Sequence, residues 1–328
     1  MNKLRTITAT YRIVTPMFMG GADKAADSIR PPSVKGALRF WWRALNWSQV
    51  RSNTNSDKDA LIELHRQESE IFGNTPAEKA PKVGQSVFSL RIRGDIPTPS
   101  SLPRMRGSKA YLGYGLEDRG NQALTWGDTF TVELSYHLNR ATKEKIGSVE
   151  DALMAIGLFG GLGGRSRNGF GSIAMESIND THFPCNTFDD YRSFVRKLLG
   201  KYIVNSTALP SFTAFSQHAT VSYCEQRDHA DIAHTSIGER YKNFRRYLNL
   251  QDRVPFGLPL ERYDRETRRA SPLFIHLHPI GNDPQSVFSV CLFLPATFHN
   301  NALRNRDDHF FDVVRTFATT RSQKVIFP

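Results

Sequence analysis

At 328 residues, with a formal net charge of +11 and a pI near 9.7, the chain is too long for one ordinary hydrophobic core and basic enough to attract polyanions. Apolar residues make up 39% and aromatics 11%, with 22 phenylalanines, which excludes a disordered chain. Cys185, Cys224 and Cys291 lie far apart with no CxxC pair, which argues against a disulfide framework or a cysteine zinc site and fits a reducing compartment.

The opening MNKLRTITATYRIV lacks the continuous apolar region of a signal peptide, and no stretch approaches the ~18 uncharged apolar residues of a membrane span, so a cytoplasmic protein is expected. Leu4 to Val14 alternates like a half-buried strand, with Ile7, Ala9, Tyr11 and Ile13 on one face. A loop containing Gly20-Gly21 runs to Pro31-Pro32, and Ser33 is a good N-cap for a helix over Val34–Trp47. A second helix is expected over Asp57–Phe72, then strands over Val83–Arg93 and Asp128–Leu138. Between those strands, the region around 95–126, with Pro97, Pro99, Pro103 and Gly107, reads as a mobile insertion. Ser148-Val-Glu-Asp151 resembles a capping box opening an apolar helix over Val149–Phe159. The glycine-rich run Gly160–Gly171 and a strand over Ser172–Ile178 follow.

The second half repeats this order. A strand over Phe212–Cys224 leads to a basic helix over Ile237–Leu250, strands over Pro272–His278 and Val287–Leu294, a helix over Asp307–Thr319 and a last strand over Lys324–Phe327. Both halves read as β-α-β-β-α-β, so the expected class is α+β with two ferredoxin-like domains carrying loop insertions. The boundary is expected near Phe183–Asp190, giving residues 1–185 with the glycine-rich loop and 186–328, with Tyr191–Val204 as a connecting helix.

Wound at 100° per residue, the first helix gathers Val34, Leu38, Trp41 and Leu45 on one side and Lys35, Arg39, Trp42 and Arg43 on a separate arc. The first set is core. The second is a cationic strip with an aromatic inside it, suited to a phosphate backbone and a stacked base, although a solvated basic face would show the same pattern. Leu38 and Trp41 should therefore be buried, and Lys35 and Arg39 exposed.

The glycine-rich run is not a P-loop, because GxxxxGK[ST] is missing, and Ser166 breaks the dinucleotide fingerprint. Its glycines, Gly163 and Gly164 among them, would let backbone amides approach a phosphate while Arg165 and Arg167 add charge. A flexible connector whose arginines merely solubilise it is the alternative. Asn168–Met175 overlaps the RNP1 pattern of RRM domains, but Ser172 and Met175 replace two aromatics, so base reading by this sheet is not supported. A third cluster, Arg262, Arg265, Arg268 and Arg269, is interspersed with Glu261, Asp264 and Glu266, which makes an ion-paired surface a competing reading.

Together these motifs carry a family resemblance. Thr15-Pro-Met-Phe-Met-Gly-Gly21 and Arg30-Pro-Pro-Ser-Val-Lys-Gly-Ala-Leu-Arg-Phe-Trp-Trp-Arg-Ala44 resemble the RAMP superfamily, and within it the first RAMP subunit of the Cmr module of type III-B CRISPR effector complexes. Gly160–Ile173 resembles the RAMP glycine-rich loop, and Arg268-Arg-Ala-Ser-Pro-Leu273 a further segment of that subunit. The resemblance covers about a fifth of the chain. It implies two ferredoxin-like domains, neighbouring RAMP subunits as partners, a place near the 3′ end of the CRISPR RNA and no cofactor. The expected RNA contacts are Arg30, Lys35, Arg39, Trp42, Arg43, Gly163, Gly164, Arg165, Arg167, Arg268 and Arg269, with the helix strip and the glycine loop converging on one groove.

Some RAMP relatives cut RNA, so an endoribonuclease is the alternative function. Metal-independent cleavage needs a general base and acid near the ribose 2′-OH, yet neither the first helix nor the glycine loop holds a histidine. His276 and His278 share a strand face and read as half-buried strand histidines; His229 and His234, with Asp228 and Asp231, read as loop. Asp23, Asp27 and Asp95 sit in loops where a divalent ion could bind, although loop carboxylates are usually solvated. The expectation is a non-catalytic, metal-free RNA binder.

Overall fold

The computed structural model describes residues 4–20, 28–74, 84–94, 97–117, 122–205, 208–224, 226–260, 264–281, 283, 285–297, 311–320 and 324–327. In chain order the elements begin with β1 (Leu4–Ile13), α1 (Pro31–Ser52), α2 (Asp57–Phe72), β2 (Phe88–Arg93) and β3 (Ser100–Ser101). Next come α3 (Gly107–Leu112), β4 (Gln122–Ala123), β5 (Thr129–His137), α4 (Lys143–Phe159), β6 (Ile173–Ile178), β7 (Thr181–His182) and α5 (Phe188–Leu199). The rest are β8 (Thr220–Tyr223), α6 (Ala230–Arg246), β9 (Leu258–Leu260), β10 (Asp264–Arg269), β11 (Leu273–Pro279), β12 (Val287–Phe293), α7 (Asp312–Thr319) and β13 (Lys324–Phe327).

The fold is α+β with antiparallel sheets. The first sheet has the order β2-β5-β1-β6-β7 and the second β11-β12-β8-β13. On β1 the apolar alternation places Ile7, Ala9, Tyr11 and Ile13 inward, against α1 and α4. The Tyr11 hydroxyl donates to the Leu153 carbonyl at 2.8 Å, fastening α4 to the sheet. The second sheet lies between two sets of helices. Phe274, Phe288, Val290 and Leu292 face the α1, α4 and α5 side, while Ile275, Leu277, Cys291 and Phe293 face α6 and α7. Burial on both faces explains why every residue of β12 is buried and why Ser289 is the one polar residue in an otherwise apolar run.

Several boundaries differ from the sequence reading, each for a local reason. α1 begins at Pro31, with Arg30 as an N-cap that makes no side-chain bond, so Ser33 lies inside the first turn. Prolines suit that turn because its amides have no intrahelical acceptor. α4 begins five residues before Ser148, at Lys143, where the Thr142 hydroxyl accepts the Lys145 amide at 3.3 Å. The Ser148 hydroxyl instead turns back to the Lys145 carbonyl at 2.9 Å. α6 begins at Ala230 with the His229 ring as its cap, so Asp231 and His234 are helical and not loop. The region taken for a mobile insertion carries α3, whose Ser108 donates to the Thr235 carbonyl of α6 at 3.1 Å. The connecting helix spans Phe188–Leu199, opened by a capping box between Thr187 and Asp190. In the strand expected over Phe212–Cys224, only Thr220–Tyr223 is extended.

Candidate nucleic-acid interface

The glycine-rich run joins the two sheets. Gly163 has φ +85° and a Cβ there would meet the Phe18 carbonyl at 2.6 Å; Gly171 has φ +59° and a Cβ would lie 2.0 Å from the Leu162 carbonyl. These glycines serve close backbone packing inside the chain. The Gly164 amide donates to the Phe18 carbonyl at 2.8 Å, so it is spent internally and does not face a phosphate. On the other side, the Ile275 amide donates to the Arg167 carbonyl at 2.8 Å, and the run pairs with β11, the edge strand of the second sheet. The His234 Nε2 lies 2.9 Å from the Asn168 carbonyl, and the His276 Nδ1 lies 2.8 Å from the Gly160 carbonyl.

This junction places one wall of a groove of about 1220 Å³. Arg165 and Arg167 come from the glycine run, Arg245 from α6, Arg253 from the turn after it, and Arg268 and Arg269 from the end of β10. Tyr111, Tyr114, Tyr241 and Phe256 interleave with them, and no carboxylate is among the described residues that line the groove. Arg165 adopts φ +58° and its guanidinium donates to the Tyr114 carbonyl at 2.9 Å and 2.5 Å, and Tyr114 itself is 79% exposed. Arg245 lies over the rings of Tyr241 and Phe256, at 5.4 Å and 5.6 Å. Arg269 donates to the Ala296 carbonyl at 2.9 Å, and Arg268 is exposed. Ring faces and carbonyls hold Arg165, Arg245 and Arg253 in contacts that do not cancel their charge, so the groove focuses a positive potential.

Arg167 differs from its neighbours. Its guanidinium sits 4.4 Å from the Phe274 ring centre and 5.3 Å from Phe40 and donates to the Ser271 carbonyl. Burial brings its pKa down to about 10. It pins β11 to α1 and contributes only its edge to the groove.

The α1 strip lies elsewhere, against α2 and β2. Arg39 and Arg43 each lie 3.4 Å from a Glu68 oxygen of α2, and the Glu68 side chain is only 6% exposed. Arg39 also donates to the Gly73 carbonyl, and Lys35 sits over the Phe88 ring at 5.7 Å. Lys35 and Arg39 are half-buried where exposure was expected, and desolvation lowers the Lys35 pKa. Trp42 requires a correction. It is 2% exposed, packs edge-on against Phe72 and donates its indole N–H to Ser148 Oγ at 2.9 Å, so its face cannot take a base. Leu38 and Trp41 are buried as expected. The structure therefore joins the glycine loop to Arg268 and Arg269, and does not bring the helix strip to the same groove. Arg262 lies outside the described residues, as do Asp23, Asp27 and Asp95.

The histidines are structural in their contacts. His276 and His278 are fully buried instead of half-buried, with His276 Nε2 and His278 Nδ1 3.2 Å apart. Burial lowers the pKa of His234 and of His276 to about 4 and pushes that of His278 down as well. Among the described residues no group of three or more His, Cys, Asp or Glu side chains could hold a metal ion, and no helix is long and apolar enough to cross a membrane.

The sequence reading missed Tyr111, Tyr114, Tyr241, Arg245 and Arg253. The one available signal was the basic end of the helix it placed over Ile237–Leu250, where Arg245 follows Tyr241 by one turn.

This chain belongs to the RAMP superfamily, whose family pattern matches residues 10–174, half of the chain. It is similar to the CRISPR system Cmr subunit Cmr1-1 of Pyrococcus furiosus, at 26% identity over 94% of this chain and 90% of that protein. The crystal structure of Cmr1 from the same organism, in its apo form, superposes with a TM-score of 0.62 at 21% identity, covering 98% of this chain and 99% of that one. A chain in the cryo-EM structure of the type III-B Cmr-beta bound to cognate target RNA shares the fold, with a TM-score of 0.58 at 10% identity, covering 94% and 99%.

Proposed function

We propose that this chain is a non-catalytic RNA-binding subunit of a type III-B CRISPR RNA-guided, RNA-targeting complex, acting in antiviral defence. It grips the backbone of the CRISPR RNA near its 3′ end, of the paired target RNA, or of both, beside other RAMP subunits. The observation that carries this reading is the groove, where arginines and exposed tyrosines converge with no carboxylate among the described lining residues. Cations neutralise phosphates, rings stack on bases of any sequence, and neither demands a particular base. The likeness to Cmr1-1 over most of both chains supports the choice of complex. The strand orders β2-β5-β1-β6 and β11-β12-β8-β13 support two ferredoxin-like units, divided between residues 185 and 186.

The test is incubation of the pure protein with labelled guide RNA and complementary RNA, with and without Mg²⁺ or Mn²⁺. Retention on a filter without cleavage products is expected. Specific cuts abolished by changing one His or Asp would make the chain an endoribonuclease, and no salt-dependent retention would make it a protein scaffold.

A further inference from the structure

Behind α3 lies a second cavity. Tyr111 and Leu112 of α3 line the groove, whereas Lys109 of the same helix and Arg106 just before it line this cavity, so α3 is the wall between them. It measures about 290 Å³ and is bounded by Phe18, Trp126, Phe170 and His229, with Met105 and Leu102 along one side. The Trp126 and His229 rings lie 6.0 Å apart with 36° between their planes, and Phe170 meets His234 edge-on at 4.6 Å.

Three features define what this space would take. Its walls are rings and aliphatic chains, which favour a flat apolar surface. The Trp126 indole N–H is buried and has no hydrogen-bond partner among the described residues, and a buried donor is normally satisfied. Arg104 and Arg106 are exposed at its border, with Arg104 3.5 Å from Glu117 and Lys109 paired to Asp231. A flat ring, an acceptor on its edge and an attached anion are together a nucleotide. An apolar side chain of a protein partner would leave the indole N–H unmet and the Arg106 charge unused.

The geometry points to a nucleobase pocket, in which a single nucleotide places its ring among Trp126, Phe170 and His229, offers an acceptor to the indole N–H and turns its phosphate toward Arg106. The nucleotide is either one base turned out of an RNA strand or a free mononucleotide. The strand-borne form rests on the RNA-binding reading, and the free form does not. Unlike the groove, such a pocket distinguishes the presence of a base from its absence at one position.

The experiment scans a single abasic substitution through a single-stranded RNA and measures affinity for the full chain, for Trp126→Leu and for Arg106→Gln. A parallel arm titrates free AMP and UMP. One abasic position should weaken wild-type binding about tenfold, the scale of one lost stack. That penalty should vanish in Trp126→Leu and shrink in Arg106→Gln, whose exposed side chain can change without disturbing the fold. Mononucleotide binding that needs Trp126, with no sensitive abasic position, would support the pocket and identify a free nucleotide as its occupant, even if RNA does not bind. RNA binding with neither a Trp126-dependent abasic position nor mononucleotide binding would overturn the pocket and leave the groove reading standing. No binding in either arm would overturn both.

Discussion

Two regions of this chain carry similar arginines and end in opposite states. On α1, Arg39 and Arg43 meet Glu68 of α2 and Lys35 lies over Phe88 of β2, so the strip is absorbed into the packing of α1 against α2 and β2. In the groove, Arg165, Arg245 and Arg253 are held by carbonyl oxygens or by ring faces, and the described lining has no carboxylate. The number of cations on an element therefore says little about polyanion binding. What matters is whether the groups that fix them also neutralise them.

The contrast can be broken in several places. The largest expected effect is on the junction that builds the groove. His234 and His276 are neutral when folded, with pKa values near 4, and take up protons near 6.5 when unfolded. The unfolded state thus binds more protons between those values, so stability should fall as pH drops from about 6.5 toward 4. The loss should approach roughly 3 kcal/mol per histidine, read by urea unfolding across that range. Stability that rises toward pH 4 would show that these imidazoles are not held neutral.

Trp42→Ala should cost about 3–5 kcal/mol of stability, because a buried indole leaves a cavity and the Ser148 hydroxyl loses its donor. RNA affinity of the folded fraction should not change; a selective loss of affinity at unchanged stability would restore Trp42 as a stacking residue. Glu68→Ala should cost about 1–3 kcal/mol, since it strips two partly exposed arginines of their shared counter-ion. Thermal unfolding checks this, and no change in midpoint would mean the pairs are idle.

How much of this was legible in the sequence follows from the range of each signal. The core face of α1, the span Asp57–Phe72 and the alternation of β1 rest on periodicity within one element, and each is present in the structure. The fate of the second arc of α1 was not legible, because α2 and α4 cover it from elsewhere in the chain. Ser148 has the sequence of a cap but is used as the acceptor for Trp42, which no local pattern records. For the site, the glycine run and Arg268–Arg269 stood out by composition. Their union with Tyr111, Tyr114 and Arg253 depends on the loop pairing with β11, a tertiary event.

The most direct test of the central claim is the slope of log RNA affinity against log salt for two double variants beside the wild type. Arg165→Gln with Arg268→Gln should reduce the slope by about 0.7 for each lost contact and weaken binding roughly tenfold at 0.15 M salt, equally for unrelated single-stranded sequences. Lys35→Gln with Arg43→Gln should leave the slope at its wild-type value. A lowered slope in the α1 variant with an unchanged slope in the groove variant would contradict the account and return the RNA to the helix strip.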